Sequence, residues 1–353
     1  MNFDNPNFLE SKKSPEAKSC TELLLEFERR KKEAIEAGKE IKPGVELKFL
    51  GLGSQKVDVI TPPFSVDGEI VMSAGVKDKK IDAYNGTTPF EIGGKKVIAQ
   101  RVEPRGDEFA SRVYFFEQDE LTWKKINDAP VFLMQDPFIA TVDGETIIGG
   151  VEVSPILPGS ESKEDYTCRT IFYKGKSLDT LKKFTVGPEN MKDIRIIELK
   201  NGHIGVFTRP QGGINGLGQI AYIELDSLTD LIPENILKAK VIKNLFIPTE
   251  WGGANQLHLL PDGTIGVIGH IACFDEEFNK IYYAISFIFD PKNHMALPLK
   301  IIATRDNFPE SEPKKPSLRK VIFPAGIDGK GNFYAGLGDA GAGRVPIDVD
   351  NLF

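Results

Sequence analysis

Short runs of apolar residues fill most of this chain, and turns that contain glycine separate them. One pattern recurs: a glycine, usually behind Asp, Asn or Gly, begins an apolar run that ends seven or eight residues later in a polar side chain. Its copies run from Gly94 to Arg101, Gly144 to Glu152, Gly202 to Arg209, Gly263 to His270 and Gly331 to Asp339. Because such turns between runs rich in Ile, Val, Phe and Thr are a strong short signal for a β-hairpin, each copy predicts one.

The copies recur at intervals of roughly 50 to 70 residues, a period that indicates a blade or repeat architecture. A second pair of apolar runs follows each hairpin, so each repeat predicts four strands, and such sheets around a central channel form a propeller. The predicted fold is therefore all-β, a five-bladed β-propeller. A sixth copy at 66–72 lacks the polar end. We expect residues 45–78 to close the last blade, so that 45–353 form one domain.

A helix is predicted ahead of the propeller, within an N-terminal extension of residues 1–44. Ser14 can cap this helix, Pro15 suits its first turn and Gly38 suits its end. Its apolar residues share one face, opposite the charged ones. That face holds Cys20, Leu23, Leu24, Phe27, Ala34 and Ile35. Packing of the face on the side of the propeller and a homo-oligomer contact are both compatible with this pattern.

Composition narrows the possible partners. With 353 residues, of which 41% are hydrophobic, the chain can bury a large core, and its net charge of −7 argues against nucleic acid as a partner. No basic start leads into an apolar stretch, and no apolar run approaches about 18 residues, so neither secretion nor a membrane partner is expected. Cys20, Cys168 and Cys273 are widely spaced and odd in number, which favours the reducing cytoplasm.

Five stretches of the chain follow, in order, the motif series of a known family. They are DAYNGTTPF with the segment after it, QDPFIATVDG, KDIRIIELKNGHIGVFTRP, WGGANQLHLLPDGTIGVIGH and VIFPAGIDGKGNFYAGLGDAG. The first resembles a family catalogued as a domain of unknown function and linked to mannosyltransferase/phosphorylase proteins. The series is similar to glycoside hydrolase family 130, the five-bladed mannoside phosphorylases and mannosidases. The resemblance covers residues 80–345 and implies a carbohydrate-active enzyme that acts on β-mannosides.

The resemblance implies that Asp136 is the catalytic acid. A carboxyl group at a confined channel mouth can protonate a leaving glycosidic oxygen, because loss of water raises its pKa. The residues alone leave a second interpretation open, an Asx turn before Pro137. Family 130 usually has Glu-Asp-Pro-Arg where this chain has Gln135 and Phe138 on either side, so an anionic neighbour and a cationic one are both missing.

Phosphorolysis also needs positive groups around a phosphate, and the resemblance implies Lys192, Arg209 and His270. Arginine offers phosphate a planar fork, whereas lysine offers a point charge. Each has a structural alternative: Arg209 paired with Asp193, Lys192 in a solvated loop, and His270 satisfied in the core. Inorganic phosphate would be a co-substrate. No cofactor or metal is expected, since the four histidines show no metal-binding spacing.

Other polar residues near strand ends are candidates for contacts with an oligosaccharide. They are Asn85, Arg101, Glu103, Glu152, Asn255 and Asp339, with Tyr84 or Trp251 to stack on a pyranose ring. If water were the nucleophile, Glu103, Glu152 and Asp193 would be the candidate general bases of an inverting hydrolase. Three functions therefore stay open. They are a phosphorylase, which the resemblance favours, a hydrolase on the same scaffold, and a glycan-binding propeller without activity.

Overall fold

The computed structural model describes residues 16–40, 42–52, 80–119, 122–155, 166–211 and 216–353, and the backbone of two short strands at 64–66 and 69–71. This part of the chain is mostly β-strand, arranged in several sheets. Helix α1 (Cys20–Glu36) comes first. The short strands β1 (Val45–Glu46), β2 (Lys48–Leu50), β3 (Phe64–Val66) and β4 (Glu69–Val71) follow it.

Five sheet units make up the rest. Unit 1 contains β5 (Ile81–Tyr84), β6 (Phe90–Ile92), β7 (Lys95–Pro104), β8 (Arg112–Asp119) and β9 (Thr122–Lys125). Unit 2 contains β10 (Gln135–Val142), β11 (Glu145–Pro155), β12 (Tyr166–Gly175) and β13 (Lys182–Val186). Unit 3 contains β14 (Arg195–Glu198), β15 (Ile204–Thr208), β16 (Ala221–Leu225), the short helix α2 (Pro233–Ile236) and β17 (Lys240–Val241). Unit 4 contains β18 (Trp251–Leu259), β19 (Ile265–Phe274), β20 (Lys280–Asp290), β21 (Met295–Ala296) and β22 (Lys300–Ala303). Unit 5 contains β23 (Lys320–Ile327), β24 (Asn332–Leu337) and β25 (Gly341–Pro346).

The strands of each unit pair antiparallel, essentially in sequence order. The hairpins predicted from the glycine turns are present. In unit 2, for example, Asp143 (φ 51°) and Gly144 (φ 69°) connect β10 to β11. Both residues tolerate positive φ, which is what a two-residue hairpin turn of this kind requires. The glycine turns in the sequence therefore mark where the first and second strands of each unit are connected.

Residues N-terminal to unit 1 contribute to two different units. β1 pairs with β25 and is the outermost strand of unit 5, whereas β2 pairs in parallel with β9 of unit 1. β3 and β4 pair with each other. Residues 53–63, 67–68 and 72–79 lie outside the described part of the chain, so closure of the last blade by the whole segment 45–78 stays a prediction.

Neighbouring units contact one another in succession. β7 contacts β10, β10 contacts β14, β14 contacts β18, β18 contacts β23, and β24 and β25 contact β5. The buried apolar side chains follow the same order, because each of five core clusters lies between two consecutive units, and one joins unit 5 to unit 1. In that last cluster, Tyr334 packs with Ile98, Phe116 and Trp123. The hydrophobic effect thus stabilises the contact between each pair of consecutive units, and the core is divided among these interfaces.

Helix α1 begins later than the sequence pattern predicts. Residues 16–18 precede it without helical structure, and Ser19 is its N-cap. The Glu22 amide donates to the Ser19 hydroxyl, and the Ser19 amide donates to the Glu22 carboxylate. This reciprocal capping box satisfies two amides at once and therefore fixes the start of the helix at Cys20. Ser14 and Pro15 lie outside the described residues.

One face of α1 packs against unit 4. Cys20, Leu23 and Phe27 are buried in the core cluster between units 3 and 4, and the Arg30 guanidinium donates to the Ile301 carbonyl. Ile35, which the pattern places on the same face, is exposed. The packing corresponds to the first alternative for this helix, and a homo-oligomer contact stays a prediction. In the described part of the chain, no helix is long and apolar enough to cross a membrane.

Candidate active site

An Asn or Asp lies near the start, the end or an irregularity of the first strand in each of units 1 to 4. Asn85 (φ 48°) follows β5, and Asp136 (φ 48°) lies in an irregularity of β10. Asp193 (φ 60°) comes just before β14, and Asn255 lies in an irregularity of β18. Asn and Asp tolerate left-handed backbone better than other non-glycine residues, and such bulges re-aim side chains. Of these four residues, two lie in strand irregularities and three have a left-handed backbone.

Asp136 is held from two sides. The Arg101 Nη1 atom and the Asn85 Nδ2 atom both donate to Asp136 Oδ1, each over 2.9 Å. The Arg101 guanidinium also lies over the ring of Tyr84, 4.6 Å from its centroid. No described residue hydrogen-bonds Asp136 Oδ2, and the side chain keeps 13% of its surface exposed. One carboxylate oxygen is therefore fixed by two donors, and the other is left without a hydrogen bond from the described residues.

Glu103 is enclosed by donors. It accepts hydrogen bonds from Tyr84 Oη (2.8 Å), Arg101 Nη2 (2.7 Å), the Ser111 hydroxyl and the Lys314 ammonium. Its side chain is completely buried, and that of Lys314 is 2% exposed. A carboxylate that already accepts from four groups is poorly placed to activate water. The sequence-based suggestion of Glu103 as a general base therefore has a structural alternative, a buried ion pair that holds Arg101.

Asp193 lies among three cations. Arg209 Nη1 donates to Asp193 Oδ2 over 3.0 Å, and Arg209 Nε donates to the Gly252 carbonyl over 2.9 Å. Burial alone would raise the pKa of Asp193, but the charges of Arg209, Lys192 and Arg195 outweigh burial and lower the pKa to about 2. The pairing of Arg209 with Asp193 is the alternative that the sequence left open. Asp193 is consequently an anion at any pH at which the protein is expected to work.

Arg195 is a buried cation that the sequence analysis did not single out. Its Nε donates to the Asn255 carbonyl over 3.0 Å, and its guanidinium lies 4.3 Å from the centroid of the Phe138 ring. No carboxylate of the described residues forms an ion pair with it. Burial lowers the pKa of Arg195 despite the attraction of Asp193 and Asp136. A guanidinium nevertheless stays protonated, so its charge is incompletely balanced.

His270 is neutral rather than cationic. Its side chain stacks on Tyr282, with 5.5 Å between ring centroids, and is 1% exposed. Burial and the cations Arg209, Arg195 and Lys192 lower the pKa of His270 to about 3. Nδ1 lies 2.8 Å from Asn255 Oδ1, and since an amide oxygen only accepts, Nδ1 carries the proton. Nε2 is then an acceptor, and a role of His270 at a phosphate site stays a prediction.

The low pKa of His270 predicts a specific loss of stability in acid. A histidine with a folded pKa of about 3 and an unfolded value of 6.5 binds a proton only after unfolding, so its contribution is complete above pH 6.5 and is lost as the pH falls towards 3. We expect this group to remove about 3 kcal/mol at pH 4. Urea unfolding at pH 7 and pH 4 measures the difference. In His270→Asn, which can keep the bond to Asn255, the difference should shrink by about that amount; an unchanged difference would refute the assignment.

The other predicted site residues divide into two sets. Asp339 (φ 54°) lies near Arg101 and Asp136, and burial, together with the charge of Asp136, raises its pKa. Lys192 is partly exposed beside Asp193 and His270. Glu152, by contrast, pairs with Arg169 (2.8 Å) and Lys183 (3.3 Å) within its own unit. No contact of the described residues joins Glu152 to this site.

The aromatic residues proposed to stack on sugar are buried. Tyr84 is 1% exposed and Trp251 is 5% exposed, so neither offers a ring face to a ligand. Phe138 is buried as well and packs edge-to-face on Phe172 in the core between units 2 and 3. Phe138 contributes its ring to this core and to the contact with the Arg195 guanidinium.

Three contributing residues escaped the sequence analysis. Arg195 lies in the apolar run KDIRIIE and looked like a strand residue. Lys314 lies in the segment NFPESEPKKPS, which has the composition of a surface loop, yet its ammonium reaches Glu103 and Tyr84. Ser111 gave no signal at all. The spacing of the repeats identified the polar residues at the ends of the second strands, but it gave no sign of these three.

A cavity of about 340 Å³ adjoins the site on the side of the hairpins. The first strands of units 2, 3 and 4 line it, and its polar residues are Thr141, Arg195, Asn255, Gln256 and His258. The space lies where first strands face one another, and Arg195 and Asn255 separate it from Asp193 and His270. In the described part of the chain, no three His, Cys, Asp or Glu residues are grouped as a metal site would require.

Two solved structures are similar to this chain over most of its length. The chain is similar to a mannose phosphorylase (MPT-4) from Leishmania mexicana, solved in complex with a phosphate ion, at 31% identity and a TM-score of 0.72, over 92% of this chain and 93% of that one. It is equally similar to a GDP-Man-dependent mannosyltransferase (MPT-1) from the same organism, at 32% identity and a TM-score of 0.74, over 93% of both chains.

A more distant likeness shows the fold alone. A structure from the GH130 family of mannoside phosphorylases, which contains glycoside hydrolases that target β-1,2 mannosidic linkages in Candida mannan, shares 13% identity. Its TM-score is 0.50, over 78% of this chain and 88% of that one. No curated protein matches the chain. The family model described as "Protein of unknown function (DUF1861)" matches residues 73–350, and the chain belongs to that family.

Proposed function

We propose that this protein is a glycoside phosphorylase that cleaves or forms β-mannosides on a five-bladed propeller. The antiparallel units, their contacts in succession and the core cluster between units 5 and 1 support a closed ring of five blades. In this proposal residues 45–353 form the propeller and residues 1–44 the N-terminal extension. The first strands then surround a central channel, and their bulges lie at one mouth of it.

Asp136 is the acid in this proposal. Arg101 and Asn85 hold Oδ1, so the proton resides on Oδ2, which no described residue hydrogen-bonds. A fixed carboxyl group with one free oxygen suits proton transfer to a leaving glycosidic oxygen, directly or through a sugar hydroxyl. The pKa of the neighbouring Asp339 is raised. When Asp339 is protonated, it adds no negative charge close to Asp136.

The observation that carries the proposal is an excess of positive charge. Lys192, Arg195 and Arg209 surround one carboxylate, Asp193, and the described carboxylates leave Arg195 and Lys192 without an ion pair. Buried cations are costly unless a counter-charge is present. A phosphate dianion would supply it, and guanidinium groups recognise phosphate oxygens well. His270 Nε2, as an acceptor, suits a hydroxyl of a protonated phosphate or of the sugar.

The proposed reaction uses Asp136 as the acid and the cations around Asp193 as the phosphate site. A phosphate oxygen attacks the anomeric carbon while the bond from that carbon to the glycosidic oxygen breaks, and the Asp136 proton moves to the departing oxygen. A single displacement inverts the anomeric carbon, so a β-mannoside gives α-mannose 1-phosphate and a shortened oligosaccharide. In the reverse direction Asp136 accepts the proton of the acceptor hydroxyl.

Arg195→Gln is expected to weaken phosphate use selectively. Loss of a charge-assisted hydrogen bond should raise the KM for phosphate by about 10- to 100-fold. Arg195→Lys, which keeps the charge without the fork, should fall between wild type and Arg195→Gln. Lys200→Gln is the control, because Lys200 is exposed at the hairpin end of the same unit. Initial rates at varied phosphate measure the effect, and an unchanged KM in Arg195→Gln would exclude this residue from the phosphate site.

Transfer from GDP-mannose is the second candidate, since the chain is as similar to a GDP-Man-dependent mannosyltransferase as to a phosphorylase. Hydrolysis and glycan binding without activity are the further alternatives. One experiment separates them: β-manno-oligosaccharides with phosphate, the same sugars without phosphate, and GDP-mannose with an acceptor sugar. We expect sugar phosphate in the first reaction only. Free mannose in both of the first two reactions would indicate a hydrolase, and an extended sugar in the third a transferase. No product in any of the three would favour a binding protein.

A further inference from the structure

A large aromatic side chain is exposed beside the Asp136 side of the site. Phe109 keeps 41% of its surface in solvent, whereas Tyr84 and Trp251 are buried. Its ring stacks on that of Tyr166, with 3.8 Å between centroids and 14° between planes. Tyr166 therefore supports one face of the Phe109 ring and fixes its orientation. An exposed, oriented aromatic ring next to a polar site is more informative than an isolated surface apolar residue.

The turn that carries Phe109 is tied to the site. Glu108–Ala110 forms a short 3₁₀ turn, and the Asp107 side chain accepts from the Ala110 amide over 3.2 Å. The Glu108 carbonyl accepts a hydrogen bond from Gln135 Nε2 over 2.8 Å, and the Ser111 hydroxyl oxygen lies 2.9 Å from it. The single Ser111 hydroxyl proton is within reach of this carbonyl and of Glu103, the carboxylate that holds Arg101.

The position of Phe109 relative to the cations determines which part of a substrate its ring could contact. Phe109 lies in unit 1, between β7 and β8, and the carbonyl of the preceding Glu108 accepts a hydrogen bond from Gln135, the residue directly before Asp136. Arg195 and Arg209 lie on the other side, in unit 3. In a single displacement the attacking phosphate and the departing oxygen stand on opposite sides of the anomeric carbon. The sugar that leaves therefore extends towards unit 1.

We propose that Phe109, supported by Tyr166, is the platform on which the leaving-group sugar of the oligosaccharide stacks. The inference rests on the proposed function, because it takes the direction of attack from it. The apolar face of a pyranose ring covers the exposed face of Phe109. Such a platform favours oligosaccharides over substrates with a small leaving group.

Calorimetric titration with β-mannobiose and β-mannotriose, without phosphate, tests the platform independently of catalysis. We expect Phe109→Ala to weaken binding about tenfold, and Phe109→Trp to retain it. Phe278→Ala is the control, because Phe278 is 83% exposed in the loop between β19 and β20 of unit 4. In kinetic runs, Phe109→Ala should raise the KM for the oligosaccharide and leave the KM for phosphate unchanged.

Each result decides between the two proposals. Equal affinity of wild type and Phe109→Ala would overturn the platform and leave the proposed function standing. Weaker binding by Phe109→Ala, in a protein that forms no sugar phosphate, would support a sugar platform and refute the phosphorylase. A wild-type protein that binds neither sugar would overturn both.

Discussion

Asp136→Asn should lower kcat for phosphorolysis by about 10²- to 10⁴-fold, the usual contribution of a general acid. Asn keeps the size of the side chain and tolerates the left-handed backbone at this position (φ 48°), so the fold should survive. Its amide oxygen can still accept from Arg101 and Asn85, but the side chain no longer has a proton to transfer. Initial rates of sugar phosphate release, at saturating phosphate and oligosaccharide, measure the loss.

The same chain offers a matched control for this substitution. Asp143 also has a left-handed backbone (φ 51°) and follows the same strand, β10, but it lies exposed at the hairpin end. Asp143→Asn should retain wild-type kcat. An Asp136→Asn protein with normal unfolding behaviour and undiminished kcat would show that Asp136 is not the acid, and Asp339, whose pKa is raised, would become the next candidate.

Glu103→Gln should cost about 3–5 kcal/mol of unfolding free energy, because it removes one partner of a buried ion pair. The Lys314 side chain is 2% exposed and that of Arg101 is 6% exposed, so Lys314 would lose its counter-charge inside the protein, and Arg101 would keep only Asp136. Urea unfolding at pH 7 measures the loss. The double substitution Glu103→Gln with Lys314→Met should recover part of it, because the unpaired ammonium is then gone.

This prediction also separates two roles for Glu103. If Glu103 holds Arg101 and Lys314, the single variant loses stability, and its residual activity changes mainly through the position of Arg101. If Glu103 is instead the general base of a hydrolase, the variant should unfold as the wild type does while the release of free mannose stops. That second outcome would favour the hydrolase over the phosphorylase.

The repeat was visible in the sequence because its physics is local. A two-residue turn with positive φ, as at Asp143 and Gly144, leaves a short sequence signal, and the alternation of apolar residues follows from burial on the sheet. The N-terminal helix was visible for the same reason. Its start was misjudged, because Ser14 and Ser19 are both good caps and only the reciprocal bond with Glu22 distinguishes them.

The site was less accessible to sequence reasoning because its contacts are between units. The polar residues at the ends of second strands were found, but their charge states were not. His270 loses its positive charge to burial and to neighbouring cations that lie far away in the sequence. Lys314 reaches Glu103 from a segment with the composition of a surface loop. The irregularity of β10 that contains Asp136 comes from strand register, which alternation of residue types does not encode.

The most direct test of the central claim is to follow the wild-type protein, β-mannobiose and inorganic phosphate by ¹H and ³¹P NMR as the reaction proceeds. We predict that α-mannose 1-phosphate and mannose appear in equal amounts, and that neither appears when phosphate is left out. Two equivalents of free mannose for each mannobiose consumed, formed at the same rate with and without phosphate, would contradict the account.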